Sequence, residues 1–195
     1  MDNAEAVAKA TVLDKKSPLG LGPKSQMVSA YLTNSDVNNY LSLQDPSNKL
    51  LKEALASRTI QTSFWSVRTF IPQTIQENFY YFAPDGSPFG FKLKLPESKS
   101  LPNIDKQAAT DLATKTLQNY KIKGIQISDY QLRDYTQERI KDRIDHHFIY
   151  ENTQRKIAEA DLEMHLTISG NQVSNLRQNV KLPENFYRDF DNMRS

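Results

Sequence analysis

The sequence predicts an α+β fold in which helices pack on antiparallel sheets, and three observations support this class. Alternating apolar and polar residues mark several short strands, hairpin turns join neighbouring strands, and each group of strands follows a helical segment. Strands that succeed one another through short turns favour antiparallel pairing. We therefore expect two modules, each a helix on an antiparallel sheet, with a short helix at the C-terminal end.

Residues 1–33 are expected to form a flexible or loosely docked N-terminal arm. Alanines near the start are compatible with a short helix, but no sustained apolar stripe continues from them. Residues 17–23 contain two prolines and two glycines, which break any regular element.

Residues 34–100 are predicted to form the first α+β module. Asn34-Ser35-Asp36 supplies the N-cap of a helix, and a second helix is expected over residues 48–57. The predicted strands of this module cover residues 64–70, 77–82 and 89–95. Pro84-Asp85-Gly86 forms the turn between the last two strands.

Residues 101–195 are predicted to form the second module. Asp105 caps a helix that extends to about Tyr120. The predicted strands cover residues 130–136, 144–150, 160–168 and 173–180, and Ser169-Gly170-Asn171 turns the chain between the last two. A terminal helix follows, with Phe186 and Phe190 on one face and Met193 continuing it.

A repeated tetrapeptide leaves an internal duplication open. Lys-Leu-Pro-Glu occupies residues 94–97 and 181–184, in each case after the hairpin that ends a module. Proline often ends a strand, so chance identity remains the alternative.

The composition excludes several classes of function. The net charge of +2 comes from 25 basic and 23 acidic residues spread along the chain, so we expect no nucleic-acid partner. The chain has no cysteine, which excludes thiol nucleophiles and thiolate metal sites. No apolar run approaches the roughly 20 residues that a membrane-spanning helix needs.

Aromatic residues provide the candidate interaction surface. Phe79, Tyr80, Tyr81 and Phe82 are consecutive, so on a strand they face both sides of the sheet. One side supplies core, and the other is open to a peptide or lipid. Phe186 and Phe190 of the terminal helix complete the candidate surface.

The histidines do not predict a metal site. His146 and His147 are neighbours on a predicted strand and face opposite sides, so they cannot both bind one ion with His165 unless the strand bulges. No serine lies in a Gly-x-Ser-x-Gly motif, and no glycine-rich phosphate loop occurs. We expect no catalytic residue, no metal and no cofactor in this chain.

Several motifs, in order, resemble one known family. They are WSVRTF at residues 65–70, PDG at 84–86, GF at 90–91, LPE at 95–97, RIDHHFIYE at 143–151, SGN at 169–171, KLPENF at 181–186, YR at 187–188 and MRS at 193–195. Together they resemble the extracytoplasmic domain of bacterial membrane proteins of the CAAX-protease and bacteriocin-processing (CPBP) family of intramembrane metalloproteases. The family's catalytic Glu-Glu-x-x-x-Arg motif lies in membrane helices, and this chain contains no Glu-Glu pair.

The resemblance implies a non-catalytic, extracytoplasmic binding or regulatory domain on the periplasmic side of the bacterial inner membrane. Its partner would be the membrane-embedded region of its own parent chain, or a protein or peptide at the membrane surface. Two alternatives stay open: a free-standing periplasmic peptide- or lipid-binding module, and a soluble hydrolase that uses a histidine and a carboxylate. The sequence does not predict the oligomeric state.

Overall fold

The fold of residues 1–194, as described by a computed structural model, is α+β. Eight strands form a single antiparallel sheet, and five α-helices include a short one at the C-terminal end. The predicted class is therefore confirmed. No helix in this part of the chain is both long and apolar enough to cross a membrane.

The described residues contain five α-helices and eight strands. The helices are α1 (Asn3–Lys16), α2 (Ser35–Gln44), α3 (Lys49–Ala56), α4 (Lys106–Asn119) and α5 (Glu184–Arg194), with a 3-10 turn at Ile127–Asp129. The strands are β1 (Gln26–Thr33), β2 (Ser63–Phe70), β3 (Glu77–Phe82), β4 (Pro88–Lys94), β5 (Tyr130–Ile140), β6 (Arg143–Ile157), β7 (Ala160–Ser169) and β8 (Gln172–Lys181).

The sheet consists of two meanders that meet at one seam. The strand order is β1-β2-β3-β4-β8-β7-β6-β5, so the last strands of the two meanders pair with each other. The seam has three residue pairs, Gly90 with Arg177, Phe91 with Leu176 and Lys92 with Asn175. The sheet is thus continuous across the predicted boundary at residue 100, and the internal duplication stays a prediction.

Helices α1 and α4 pack on the same face of the sheet. The cross-strand row Tyr80, Phe91, Leu176, Leu166 and Phe148 lies beneath them. On α4, Ala109, Ala113 and Leu117 are buried against this row. Small residues at the contact let the helix backbone approach the sheet closely, and the predicted Asp105 cap forms through a 2.8 Å hydrogen bond from the amide of Ala108.

The N-terminal residues differ from the flexible arm that the sequence predicts. Residues 1–33 contain α1, capped by Asp2, and the edge strand β1, which pairs with β2 along its whole length. Ala6 and Ala10 are fully buried against the sheet. The contact depends on alanines, which give no strong apolar stripe, and this is why the sequence pattern understates it.

The remaining helices gather around the hairpin between β6 and β7. Helices α2, α3 and α5 share a cluster of buried residues with Ile157 and Leu162. Phe186 of α5 meets Tyr40 of α2 edge to face at 5.4 Å between ring centroids. The terminal helix therefore docks on the domain through Phe186, while the predicted contribution of the Met193 side chain lies outside the described side chains.

Candidate functional site

The structure divides the predicted aromatic surface between two faces and a separate cluster. Tyr80 and Phe82 are 3% and 1% exposed and belong to the core beneath α1. Phe79 and Tyr81 are half-buried on the opposite face. Phe186 and Phe190 pack with α2 and the β6–β7 hairpin, so they belong to a different cluster from Phe79 and Tyr81.

We call the sheet face opposite α1 and α4 the open face. Two cross-strand rows occupy its centre. The first contains Tyr81, Gly90, Arg177, His165 and Ile149, and the second contains Phe79, Lys92, Asn175, Thr167 and His147. Both rows cross the seam between the two meanders.

The β1–β4 side of the open face is aromatic. The ring of Phe64 lies 5.7 Å from that of Tyr81 and 5.6 Å from that of Phe89. These rings, with Leu32 and Phe79, line a cavity of about 330 Å³. This side offers apolar contacts to a bound molecule.

The β5–β8 side of the open face is polar. A second cavity, of about 400 Å³, has Lys92, His147, His165 and Asn175 among its lining residues. Arg177 borders both cavities. A ligand that fills both cavities therefore passes over Arg177.

The free charge at the centre of the open face is positive. Lys92 and Arg177 form no ion pair with any residue of the part that the structure describes, and both are exposed. Arg133, nearer the β5 edge of this face, is by contrast compensated by Glu151 at 2.7 Å and by Glu163 at 3.2 Å. The two central cations are thus available to an anionic ligand.

Gly90 lets strand β4 approach the backbone of β8 closely beside Arg177. Its φ is 145°, and an added Cβ would lie 2.4 Å from the carbonyl oxygen of Leu176. The position therefore requires glycine, and the residue is buried where the two strands meet at the seam. Burial raises the pKa of the Tyr81 hydroxyl, and the charge of Arg177 acts in the opposite direction.

The three histidines do not share a site. His146 lies on the core face, where its Nε2 donates to the carbonyl of Ile104 at 3.1 Å and its Nδ1 lies 2.9 Å from the hydroxyl oxygen of Tyr135. His147 and His165 lie on the open face. Within residues 1–194, no group of three or more histidine, aspartate or glutamate side chains is arranged to hold a metal ion.

The two histidines of the open face are held by neighbouring side chains. Nε2 of His165 donates to Oε2 of Glu163 at 2.7 Å, because a carboxylate only accepts. Nδ1 of His147 lies 3.1 Å from the hydroxyl of Thr167. The His165–Glu163 pair is joined to Arg133 and to Nδ2 of Asn179, so this part of the face forms a hydrogen-bonded network.

Sequence reasoning found Phe79 and Tyr81 but missed Gly90, Lys92 and Arg177. The alternation of Gly90 and Lys92 with Phe91 and Leu93 indicates a polar face on β4. Their position beside Arg177 depends on the β4–β8 pairing, which joins segments more than 80 residues apart. Nothing in the local pattern reveals that pairing.

Comparison with known protein families, with curated proteins and with solved structures finds no match to this chain.

Proposed function

We propose that this chain is a non-catalytic binding domain whose open face recruits an acidic polypeptide segment. The observation that carries the proposal is the pair of uncompensated cations, Lys92 and Arg177, beside a cavity lined by aromatic rings. The aromatic cavity suits apolar side chains, and the cations suit carboxylates.

The geometry favours an extended peptide with acidic residues at alternate positions. Arg177 faces Gly90, and Lys92 is two residues further along β4, so the two cations are diagonal neighbours roughly 7–8 Å apart. Side chains two residues apart in an extended peptide point the same way, at a spacing of roughly 6.5–7 Å. One acidic residue can therefore meet each cation.

The membrane context is part of the same proposal. The resemblance to extracytoplasmic domains of CPBP-family proteins supports a location on the periplasmic side of a bacterial inner membrane. The acidic segment would then belong to the membrane-embedded region of the parent chain or to a protein at the membrane surface. A duplication of two modules is also part of the proposal. It is supported by the four-stranded meander in each half of the sheet and by the helix that precedes each meander, α1 before β1 and α4 before β5.

Selection of peptides from a random displayed library tests the binding proposal. Peptides that bind the wild-type protein are expected to carry Asp or Glu at alternate positions beside aromatic or aliphatic residues. They should lose affinity for the Lys92→Glu, Arg177→Glu variant and at high salt, since exposed ion pairs are screened.

The matched control is the Lys15→Glu, Lys106→Glu variant, which changes the net charge equally at exposed positions of α1 and α4, on the opposite side of the sheet from the open face. Selection of basic or uncharged peptides would contradict the proposal, as would equal loss of binding in both variants.

The gene tests the membrane context separately. Codons for apolar segments of about 20 residues, upstream of Met1 or downstream of Ser195, are expected. A reading frame that opens with a cleavable signal and stops after Ser195 would favour a free-standing periplasmic module instead.

A second candidate function, binding of a lipid-like ligand, is favoured by the groove between α1 and α4. This groove has a volume of about 470 Å³, and its floor includes Phe91 and Leu93. Lys16 of α1 and Lys115 of α4 are among its lining residues, so it matches an acyl chain with an anionic head. Binding of dodecanoate that is abolished in the Lys16→Glu, Lys115→Glu variant would support this function, and absence of dodecanoate binding to the wild type would reject it.

A further inference from the structure

Strand β1 is an edge of the sheet that lacks the features that usually protect edge strands. Its eight residues contain no charged residue and no proline. Val28, Tyr31 and Leu32 on this strand are 56%, 51% and 43% exposed. Its outer backbone groups have no strand partner within residues 1–194. Such an edge is a template for pairing with another strand.

The opposite edge of the sheet shows the usual protection. Strand β5 carries four charged residues, Arg133, Asp134, Glu138 and Arg139, and a bulge lies between Leu132 and Asp134. Both features discourage edge-to-edge pairing. The contrast within one sheet indicates that β1 is an interaction surface.

We infer that β1 pairs with β1 of a second copy of this chain, in antiparallel orientation, around a two-fold axis at Ala30. Val28, Ala30 and Leu32 share the open face, because they lie opposite Arg68, Ser66 and Phe64 of β2. With the axis at Ala30, Val28 of one copy faces Leu32 of the other, twice. The two most exposed apolar residues of this face thereby cover each other.

The charges that flank β1 are complementary in the same arrangement. Antiparallel pairing places the start of one strand beside the end of the other, which brings Lys24 close to Asp36 of the second copy. Both residues are exposed, and neither forms an ion pair within the described chain. The pairing joins two eight-stranded sheets into one of sixteen strands with α1 and α4 of both copies on the same side.

A charge swap tests the pairing and its register. The wild-type protein is expected to form a concentration-dependent dimer in sedimentation equilibrium. The Val28→Lys, Leu32→Lys variant places like charges opposite each other and should raise the dimer Kd on the order of 100-fold. The Val28→Glu, Leu32→Lys variant removes the same apolar surface but places an introduced glutamate opposite an introduced lysine, so it should keep most of the affinity.

Leu132→Lys, at a residue that is 44% exposed on the opposite edge, is the matched control and should leave the Kd unchanged. Unfolding in urea verifies that each variant is folded. Amide exchange provides a second readout, since exchange of residues 26–33 should slow with rising protein concentration while that of residues 130–140 stays constant. A wild-type protein that is monomeric up to millimolar concentration, or equal loss of the dimer in both double variants, would overturn the inference.

Discussion

Replacement of Asp14 by alanine should strongly destabilise the protein, because the carboxylate of Asp14 ties α1 to the sheet. The side chain is 4% exposed. Its oxygens accept from the Tyr80 hydroxyl at 2.9 Å, Nδ2 of Asn78 at 3.1 Å, and the amides of Leu21 and Gly22 at 2.9 and 3.2 Å. Four donors thus converge on one buried group.

The loss of stability in Asp14→Ala depends on which of the four donors can form a hydrogen bond to water once the carboxylate is removed. Tyr80 and Asn78 are 3% and 0% exposed, so each loses a partner at a cost of about 1–3 kcal/mol. The amides of Leu21 and Gly22 lie in a more exposed loop and can bond to water at smaller cost. Asp14→Ala should therefore lower the free energy of unfolding by about 3–5 kcal/mol.

Urea unfolding followed by the fluorescence of Trp65, the only tryptophan, measures this loss. Trp65 packs against the cluster beneath α1, so it reports on the relevant contact. The control is Asp111→Ala on α4, where the carboxylate lies on the exposed surface and accepts from Gln107, and a change within about 0.5 kcal/mol is expected. A loss below about 1 kcal/mol for Asp14→Ala would refute the docking of α1.

Three further substitutions test the seam, a turn and a buried ion pair. Gly90→Ala should lower the free energy of unfolding by about 3 kcal/mol, because the added Cβ would collide with the carbonyl of Leu176, and a shift of the urea midpoint measures this loss. The control is Gly22→Ala, which is also at positive φ but has open space around it and should cost only about 1 kcal/mol. Asp85→Asn should lower the free energy of unfolding by about 1–2 kcal/mol at neutral pH. Hydrogen bonds from Ser87, Lys123 and Arg58 lower the pKa of the Asp85 carboxyl below its ordinary value of 3.8. A lowered pKa stabilises the fold above the unfolded-state value, so the difference from wild type should shrink as the pH falls below about 4, and a difference that grows in acid would contradict this assignment. Arg143→Met should lower the free energy of unfolding by about 3 kcal/mol, because it leaves the buried carboxylate of Asp145 unpaired. The same change should speed proteolysis in residues 96–99, because the guanidinium of Arg143 binds the carbonyls of Pro96 and Lys99.

The local elements follow closely from the sequence where their determinants are local. The hairpin turn at Pro84-Asp85-Gly86 and the caps at Asn34 and Asp105 lie where the turn and cap residues predict them. Strand β6 is longer than predicted. Beyond residue 150 it continues through Glu151 and Asn152, which pair with β5, and reaches Lys156 and Ile157, which pair with β7 beside the hairpin. Residues 1–33 differ most, since the order of α1 depends on distant partners such as Asn78 and Tyr80.

The candidate site is less predictable, because it is assembled by long-range pairing. The consecutive aromatics indicate a surface, but only the register shows that Phe79 and Tyr81 share a face with Lys92 and Arg177. The histidine pattern is more informative, since opposite orientation of His146 and His147 follows from the strand geometry alone, and the structure places them on opposite faces.

The position of the candidate site at the seam couples binding to the joining of the two meanders. Tyr81, Gly90 and Lys92 come from the first meander, and Arg177 comes from the second. The seam has only three residue pairs, so it is the narrowest connection in the sheet. A ligand that bridges Lys92 and Arg177 binds only when the seam is formed and must stabilise it by mass action. We therefore expect amide exchange in residues 90–92 and 175–177 to slow when a selected acidic peptide binds. Unchanged exchange in these residues would show that the peptide binds elsewhere.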